Sequence, residues 1–563
     1  MLSRSAYRAS KMILVSFALL LVTTCAAPFA ARAQTPAGDR VYRLQGAVED
    51  ALTGKPLPRA LVTSMDRHLA TMTDSEGHFS LLITIPVRPQ GLSTAELGRV
   101  TSFSGPLSAF GSGESLLLIA SKPGYLQPQQ PTMLPLDATL TSNPVELKLM
   151  PAGVIHGRVF TGLSDAPFGV RVMLLRRQVQ EGRYQWLQVS MQNTDSRGQF
   201  RFDNLRPGEY TVMSAEWAGD QPLVRPRFET TRQYPPLFLG DVRDFAEAHK
   251  LQLHNGETLQ TELHLQAATY YPISVPVSLS GSEGGINVRV LGSGGFNGFG
   301  LGFNVRTEAV EGTLPNGAYT LLITHFGPPP SSSALVPIQV AGRPVHTGPV
   351  ALGPAASISV RIHSELTQQQ GTIQRYLNIF LRSEEPGLAV ANGRGNPEDP
   401  GELTLENVLP GRYFVQAMPS FSGYVASVTS GNVNLLEQPL VVTAGTGPDP
   451  IEVTLRDDFA TLTGAITGFG GATPRTCFVF LLPTDSSGRF TQGIALNGSF
   501  RMGGVPPGTY LLMATPQVPQ DIPYRDPDAM RAYAGIGSTV TLIGGQQAHA
   551  DAPFLDQIAP KEP

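Results

Sequence analysis

Apolar and polar residues alternate in short runs along most of the chain, and the clearest runs flank one recurring turn. The stretch G-S-F-R-M-G-G-V-P-P-G-T-Y at 498–510 has close variants at 198–210 (G-Q-F-R-F-D-N-L-R-P-G-E-Y) and 401–413 (G-E-L-T-L-E-N-V-L-P-G-R-Y). A fourth, partial copy is L-P-N-G-A-Y at 314–319. Phe200 and Phe202 alternate with Gln199 and Arg201, and Phe500 and Met502 with Ser499 and Arg501. That period of two is the mark of a half-buried strand. The spacing then predicts a tight turn, with proline presetting one torsion and Gly208, Gly411 or Gly508 accepting a positive φ. Beyond it Tyr210-Val212, Tyr319-Leu321-Ile323, Tyr413-Val415 and Tyr510-Leu512 open a second strand. Each tyrosine is expected to bury its ring and return its hydroxyl to nearby backbone, as in the tyrosine corner of β-sandwiches.

The four tyrosines are 109, 94 and 97 residues apart, a period that suits one sandwich per repeat. Other patterns fill the repeat. K-L-Q-L-H-N-G-E-T-L-Q-T-E-L-H-L at 250–265 reads as two strands about an Asn-Gly hairpin turn. Phe299, Leu301, Phe303 and Val305 alternate with glycines and Asn304, a strand with one bare face. The segments 241–249 and 524–533 each predict one or two helical turns crossing a sandwich before its closing strand. The sequence is thus read as all-β.

Glycine (59) and proline (48) supply the turns that such short strands need, while 41% hydrophobic residues suffice for real cores. Residues 1–33 read as a secretory signal. Arg4, Arg8 and Lys11 precede the apolar run 12–22, and Ala31-Arg32-Ala33 gives a small-x-small cleavage pattern. Cys25 could suggest lipid attachment, but the threonine before it fits a lipobox poorly. The run is short for a transmembrane helix and no second one follows, so no integral span is expected in the mature chain. The leader holds four of the 41 basic residues and none of the 45 acidic ones, so its loss leaves a net charge of −8. That disfavours nucleic acid as a partner. One cysteine, Cys477, would remain, and it reads as a small buried strand residue.

A resemblance enters with L-Q-G-A-V-E-D-A-L-T-G-K-P-L-P-R-A-L-V (44–62), A-T-M-T-D-S-E-G-H-F-S-L (70–81) and the strand ending in Gly124-Tyr125. This G-x-V strand, T-D-x-x-G-x-F hairpin and G-Y strand end resemble the carboxypeptidase regulatory-like domain. The resemblance implies a seven-stranded transthyretin-like sandwich, related to the B-type repeats of bacterial adhesins. It extends over nearly all of the mature chain as a tandem array of about five sandwiches. Their expected bounds are 41–150 (with an inserted loop at 86–114), 151–268, 269–353 (degenerate and Gly-rich), 354–456 and 457–557. The fold it implies is specific; the function is not.

Candidate chemistry is sparse. His254-Asn255-Gly256-Glu257 matches H-x-x-E on paper but sits on the expected Asn-Gly turn, so no metal ligand set and no cofactor site are read. There is no G-x-S-x-G elbow, and Gly54-Lys55 lacks a P-loop around it. Asp74, Asp195 and Asp485, each in T-D-S-x-G-x-F, are expected to accept turn amides. The isopeptide crosslinks of related adhesin modules need a core lysine; units three to five have none, and Lys148 alternates with Leu147 and Leu149 toward solvent. Trp186, inside the strand Y-Q-W-L-Q-V, is expected in the core or on a sheet face. Trp217, near Tyr234, is the candidate platform for sugar stacking, with packing between modules as the competing role. No catalytic residue is assigned. The expectation is an exported binding or structural protein (periplasmic, outer-surface or extracellular) that presents loops to a protein or envelope partner. A carbohydrate-binding array is the alternative, because the sandwich resembles glycan-binding folds.

Overall fold

The computed structural model describes residues 40–85, 115–128, 131–135, 144–162, 167–219, 230–278, 284–291, 299–326, 331–367, 377–384, 391–395, 403–420, 423–443, 447–468, 476–485, 488–516, 522–533 and 535–555. The expected leader 1–33 and inserted loop 86–114 lie outside them.

The protein is an all-β tandem array, and one strand arrangement recurs five times. An opening strand lies between an antiparallel strand and a parallel closing strand. Arg40–Asp50 lies between His78–Ile85 and Val145–Leu149. Gly153–Thr161 lies between Gln199–Leu205 and Thr258–Leu265. Ala268–Ser278 takes Ala309–Pro315 on one side and the short Val345–His346 and Val350–Ala351 on the other. Ala356–Glu365 and Ala460–Thr467 repeat the plan with Leu403–Val408 and Ile451–Arg456, and with Ser499–Val505 and Gln547–His549.

A second sheet faces each of these. Its inner strands include Arg171–Gln180 with Gly208–Ser214, Leu377–Ser383 with Gly411–Pro419, and Thr476–Pro483 with Gly508–Thr515. Side chains of alternate residues meet between the sheets in five separate apolar cores. In the last sandwich Thr491–Leu496 also pairs with Ser499–Val505, so the two sheets run into one.

Close backbone approach explains the glycine of the G-x-V strand. A methyl at Gly157 would stand 2.3 Å from the Thr261 carbonyl oxygen and 2.6 Å from the Phe200 ring. Gly46 and Gly464 meet Phe79 and Phe500 in the same way. The bare backbone is where the phenylalanine of the neighbouring strand lies down, so glycine and phenylalanine form one packing unit.

Four expectations change. The T-D-x-x-G-x-F segments at 73–79 and 194–200 are tight turns but not hairpins: Ala70–Met72 pairs with Leu61–Ser64 and Arg183–Asn193 with Arg171–Gln180, while His78–Ile85 and Gln199–Leu205 pair with the opening strands, so each turn carries the chain from one sheet to the other. The strands Leu251–Leu253 and Thr258–Leu265 do not form a hairpin: the first pairs with Gly208–Ser214, the second with Gly153–Thr161, so the Asn255-Gly256 turn carries the chain from one sheet to the other. The alternation was real, but it serves two separate sheets. Asp485 does not share the place of Asp74 and Asp195, because it follows Thr476–Pro483 and precedes Thr491–Leu496. The Phe500 hairpin turns instead at Asn497-Gly498, both with positive φ. Of the glycine-flanked strand, only Gly302–Asn304 is paired.

The strands after the tyrosines are buried on both faces in the second and fifth sandwiches, as in Gly208–Ser214. The outer face there is covered by the expected short helical turns. The 3-10 turn Phe245–Glu247 joins a cluster with Met173, Leu175, Met213 and Phe238. The helix Pro527–Met530 and the 3-10 turn Arg531–Tyr533 do the same over Phe480, Leu482 and Met513. Asp244 and Asp526 cap these turns by accepting the amides two residues on, Ala246 and Asp528.

Candidate binding cleft beside Trp217

The repeated motif is built from groups that serve its own backbone. Tyr210 donates its hydroxyl to the Arg206 carbonyl at 2.7 Å, Tyr319 to Pro315 at 3.0 Å, Tyr413 to Leu409 at 2.8 Å and Tyr510 to Pro506 at 2.8 Å. Burial pushes the Tyr319 and Tyr510 phenols up to about 12. The first repeat differs: Tyr125 donates to the Asp50 carboxylate at 3.0 Å, which also accepts the Leu52 and Thr53 amides.

The glycine after the motif proline has positive φ at Gly208 and Gly508 but not at Gly411 or Gly317. The left-handed residue common to the three strong copies lies earlier, at Asn204, Asn407 and Gly504. Each sits where the pairing register slips, so a bulge bends the strand into the corner. Asp74 accepts the Glu76 and His78 amides, and Asp195 those of Arg197 and Gln199. The threonine before each is buried: Thr73 bonds Leu57 and Ala60, Thr194 bonds Pro167 and Val170.

Away from the motif, a cleft of about 560 Å³ opens where the outer face of the second sandwich meets the third. One wall is the hairpin Arg171–Gln180/Arg183–Asn193, which contributes Arg171, Gln188, Met191 and Asn193. Trp217 and Phe299 contribute aromatic surface, and Glu216 lines the cleft as well. Trp217 is positioned by a two-way backbone bridge to Tyr234, and the two rings lie 5.2 Å apart at 38°. Both are half-buried against the second core. Thus Trp217 packs and lines the cleft at once, while Tyr234 supports it from behind and is not among the lining residues. Glu216 accepts the Gly300 amide at 3.2 Å, tying the third sandwich to the cleft. Beside it the Tyr270 phenol is fully buried, and desolvation together with the Glu216 charge raises its pKa strongly.

The remaining candidates are structural in their surroundings. His254 is exposed and bonds Glu257 across the Asn255-Gly256 turn. Among the described residues no group of three or more His, Cys, Asp or Glu could hold a metal ion. Cys477 is fully buried, and burial raises its thiol pKa. Trp186 lies on the outer sheet face, edge-on to Phe245 at 5.4 Å, with the Lys250 ammonium 4.7 Å from its ring. Among the described residues no helix is long and apolar enough to cross a membrane.

No protein-family model matches this chain, and no curated protein matches it. Among solved structures, the TIE protein of Bacillus anthracis is 12% identical over 75% of this chain and 69% of its own, with a TM-score of 0.15. A streptococcal ancillary pilin is 11% identical, over 56% of this chain and 98% of its own, with a TM-score of 0.19. GBS52, the minor pilin of Streptococcus agalactiae, is 11% identical over 43% and 99%, with a TM-score of 0.17. At such scores the likeness carries no argument about function.

Proposed function

We propose that this chain is an exported, non-catalytic binding and structural protein of the bacterial envelope. Its units are the five intervals 41–150, 151–268, 269–353, 354–456 and 457–557, related to carboxypeptidase regulatory-like sandwiches, and their loops meet a protein or envelope partner. One observation carries this reading: the polar side chains of the recurring motif are spent on their own turns and corners, four tyrosine hydroxyls each reaching the carbonyl four residues back. Recognition then falls to what differs between the repeats, the loops and the junction cleft.

The cleft favours a second reading in which the ligand is a glycan. Trp217 and Phe299 offer aromatic surface, and Arg171, Gln188 and Asn193 offer hydroxyl-binding groups in the same cleft. A glycan array probed with the full chain and with Trp217→Ala tests it. Retained glycans that fall at least tenfold in signal with Trp217→Ala support the sugar site. No retained glycan, or binding indifferent to the substitution, rejects it and leaves the protein-or-envelope reading to sedimentation with isolated envelope fractions.

A further inference from the structure

The hairpin that walls the cleft at one end does something else at its tip. Arg171–Gln180 and Arg183–Asn193 turn through Glu181 and Gly182, with φ of 49° and 75°, the mirror-image turn that suits strand twist. The first strand has 10 residues, whereas its counterparts Leu377–Ser383 and Thr476–Pro483 have 7 and 8. Two or three extra residues carry the tip roughly 7–10 Å farther at the rise of a strand. Its burial changes accordingly, from the closely packed Val172–Arg176 to the half-covered 177–180.

The tip is received by the fourth and fifth sandwiches together. Arg525 donates its backbone amide to the Gly182 carbonyl at 2.9 Å, and the Tyr524 ring lies so close to Gly182 that a methyl there would stand 2.8 Å from it. Arg183 reaches the Arg525 carbonyl at 3.3 Å and the Leu436 carbonyl at 3.1 Å, bonds Glu437 as well, and lies 4.8 Å over the Phe414 ring. Gln416 donates to the Glu181 carboxylate at 3.0 Å, and Arg382 to the Gln180 side chain. Arg525 also donates to the Leu436 carbonyl, at 3.1 Å, so three sandwiches converge on one short segment. These contacts join intervals some 250 and 340 residues apart in sequence. An array laid end to end would not make them.

The seat is mostly polar, and it brings two guanidinium groups side by side. Burial, then the charge of Arg525, lowers the Arg183 pKa, against the opposing charges of Asp526, Glu384 and Glu437. A mostly polar interface between domains, holding a partly desolvated cation among charges of both signs, is suited to release.

We propose that this hairpin is a latch: it closes the second, fourth and fifth sandwiches into one cluster, and its release lets the chain open into a longer array with greater reach. The latch stands whether or not the cleft takes a glycan.

Small-angle scattering of the full chain tests it. Five 100-residue sandwiches in line would have a radius of gyration of roughly 45–50 Å, and a single compact globule of this length about 24 Å. The closed chain is expected well below the in-line value. Arg183→Glu places a carboxylate against the Leu436 and Glu437 carbonyls and is expected to raise the radius by about a fifth or more, with an unchanged circular dichroism spectrum. Superimposable curves for the two proteins would overturn the latch. A second measurement does not depend on that variant: in the mature chain, whose Cys477 is fully buried, Glu181→Cys with Gln416→Cys is expected to be bridged by a short bis-maleimide. Both thiols reacting without a bridge would overturn it equally.

Discussion

Tyr510 and Tyr319 set a chemical limit that a single residue can show. Each phenol is held neutral by burial, with its pKa pushed up to about 12 against an ordinary value of 10.0. The unfolded chain releases these protons near pH 10 while the folded chain keeps them, so it is the unfolded state that binds fewer protons there. Stability from these groups is therefore full below pH 10 and lost progressively as pH rises toward 12. Tyrosinate absorbance and circular dichroism, followed together through this window, are expected to show these phenols ionising along with loss of sheet signal. Ionisation of every tyrosine near pH 10 with the fold intact would contradict it. At this scale the sequence was informative where spacing carries the physics. The four corner tyrosines could be picked out because the corner recurs at the length of one sandwich in units two to five. The left-handed residues Asn204, Asn407 and Gly504 were not evident, since a bulge shows only as two exposed positions in succession, 203–204, 406–407 and 503–504.

Elements were legible as strands and less so as partners. Alternation marks which face of a strand is buried but not which strand lies beside it, so 250–265 read as a hairpin when its halves belong to opposing sheets. The short helical turns were visible in sequence, and the structure adds what they do. Phe245 on the 3-10 turn lies 5.5 Å from Phe238 and 5.4 Å from Trp186, with the Lys250 ammonium 3.7 Å from its ring. Desolvation lowers the Lys250 pKa, which marks a cation held against aromatic rings more than in water. Phe245→Ala removes the lid of this outer cluster. Its partial exposure places the expected loss at the lower end of large-to-small substitutions, about 2–3 kcal/mol in urea unfolding. Trp186 emission is expected to shift to the red. An unchanged midpoint and an unshifted spectrum would show that the turn covers nothing.

Across the whole molecule, the array was legible and its closure was not. Repeat spacing predicts a succession of sandwiches. The contact between the 180–183 tip and residues 436–437 and 524–525 depends on a hairpin two or three residues longer than its counterparts. No local pattern announces that. The cleft is similar: Trp217 stood out as a candidate stacking aromatic, but Arg171, Asn193 and Phe299 become its neighbours only through tertiary folding. Both features lie where the repeats differ, while the parts that recur are scaffold. The most direct test of that division is Tyr413→Phe, measured for urea unfolding and for sedimentation with envelope fractions. Removing the hydroxyl leaves the Leu409 carbonyl without its 2.8 Å donor, so a loss of about 1–2 kcal/mol is expected, with binding by the folded protein unchanged. Lost binding at undiminished stability would mean that the corner tyrosine contacts the partner itself, and would contradict the scaffold account.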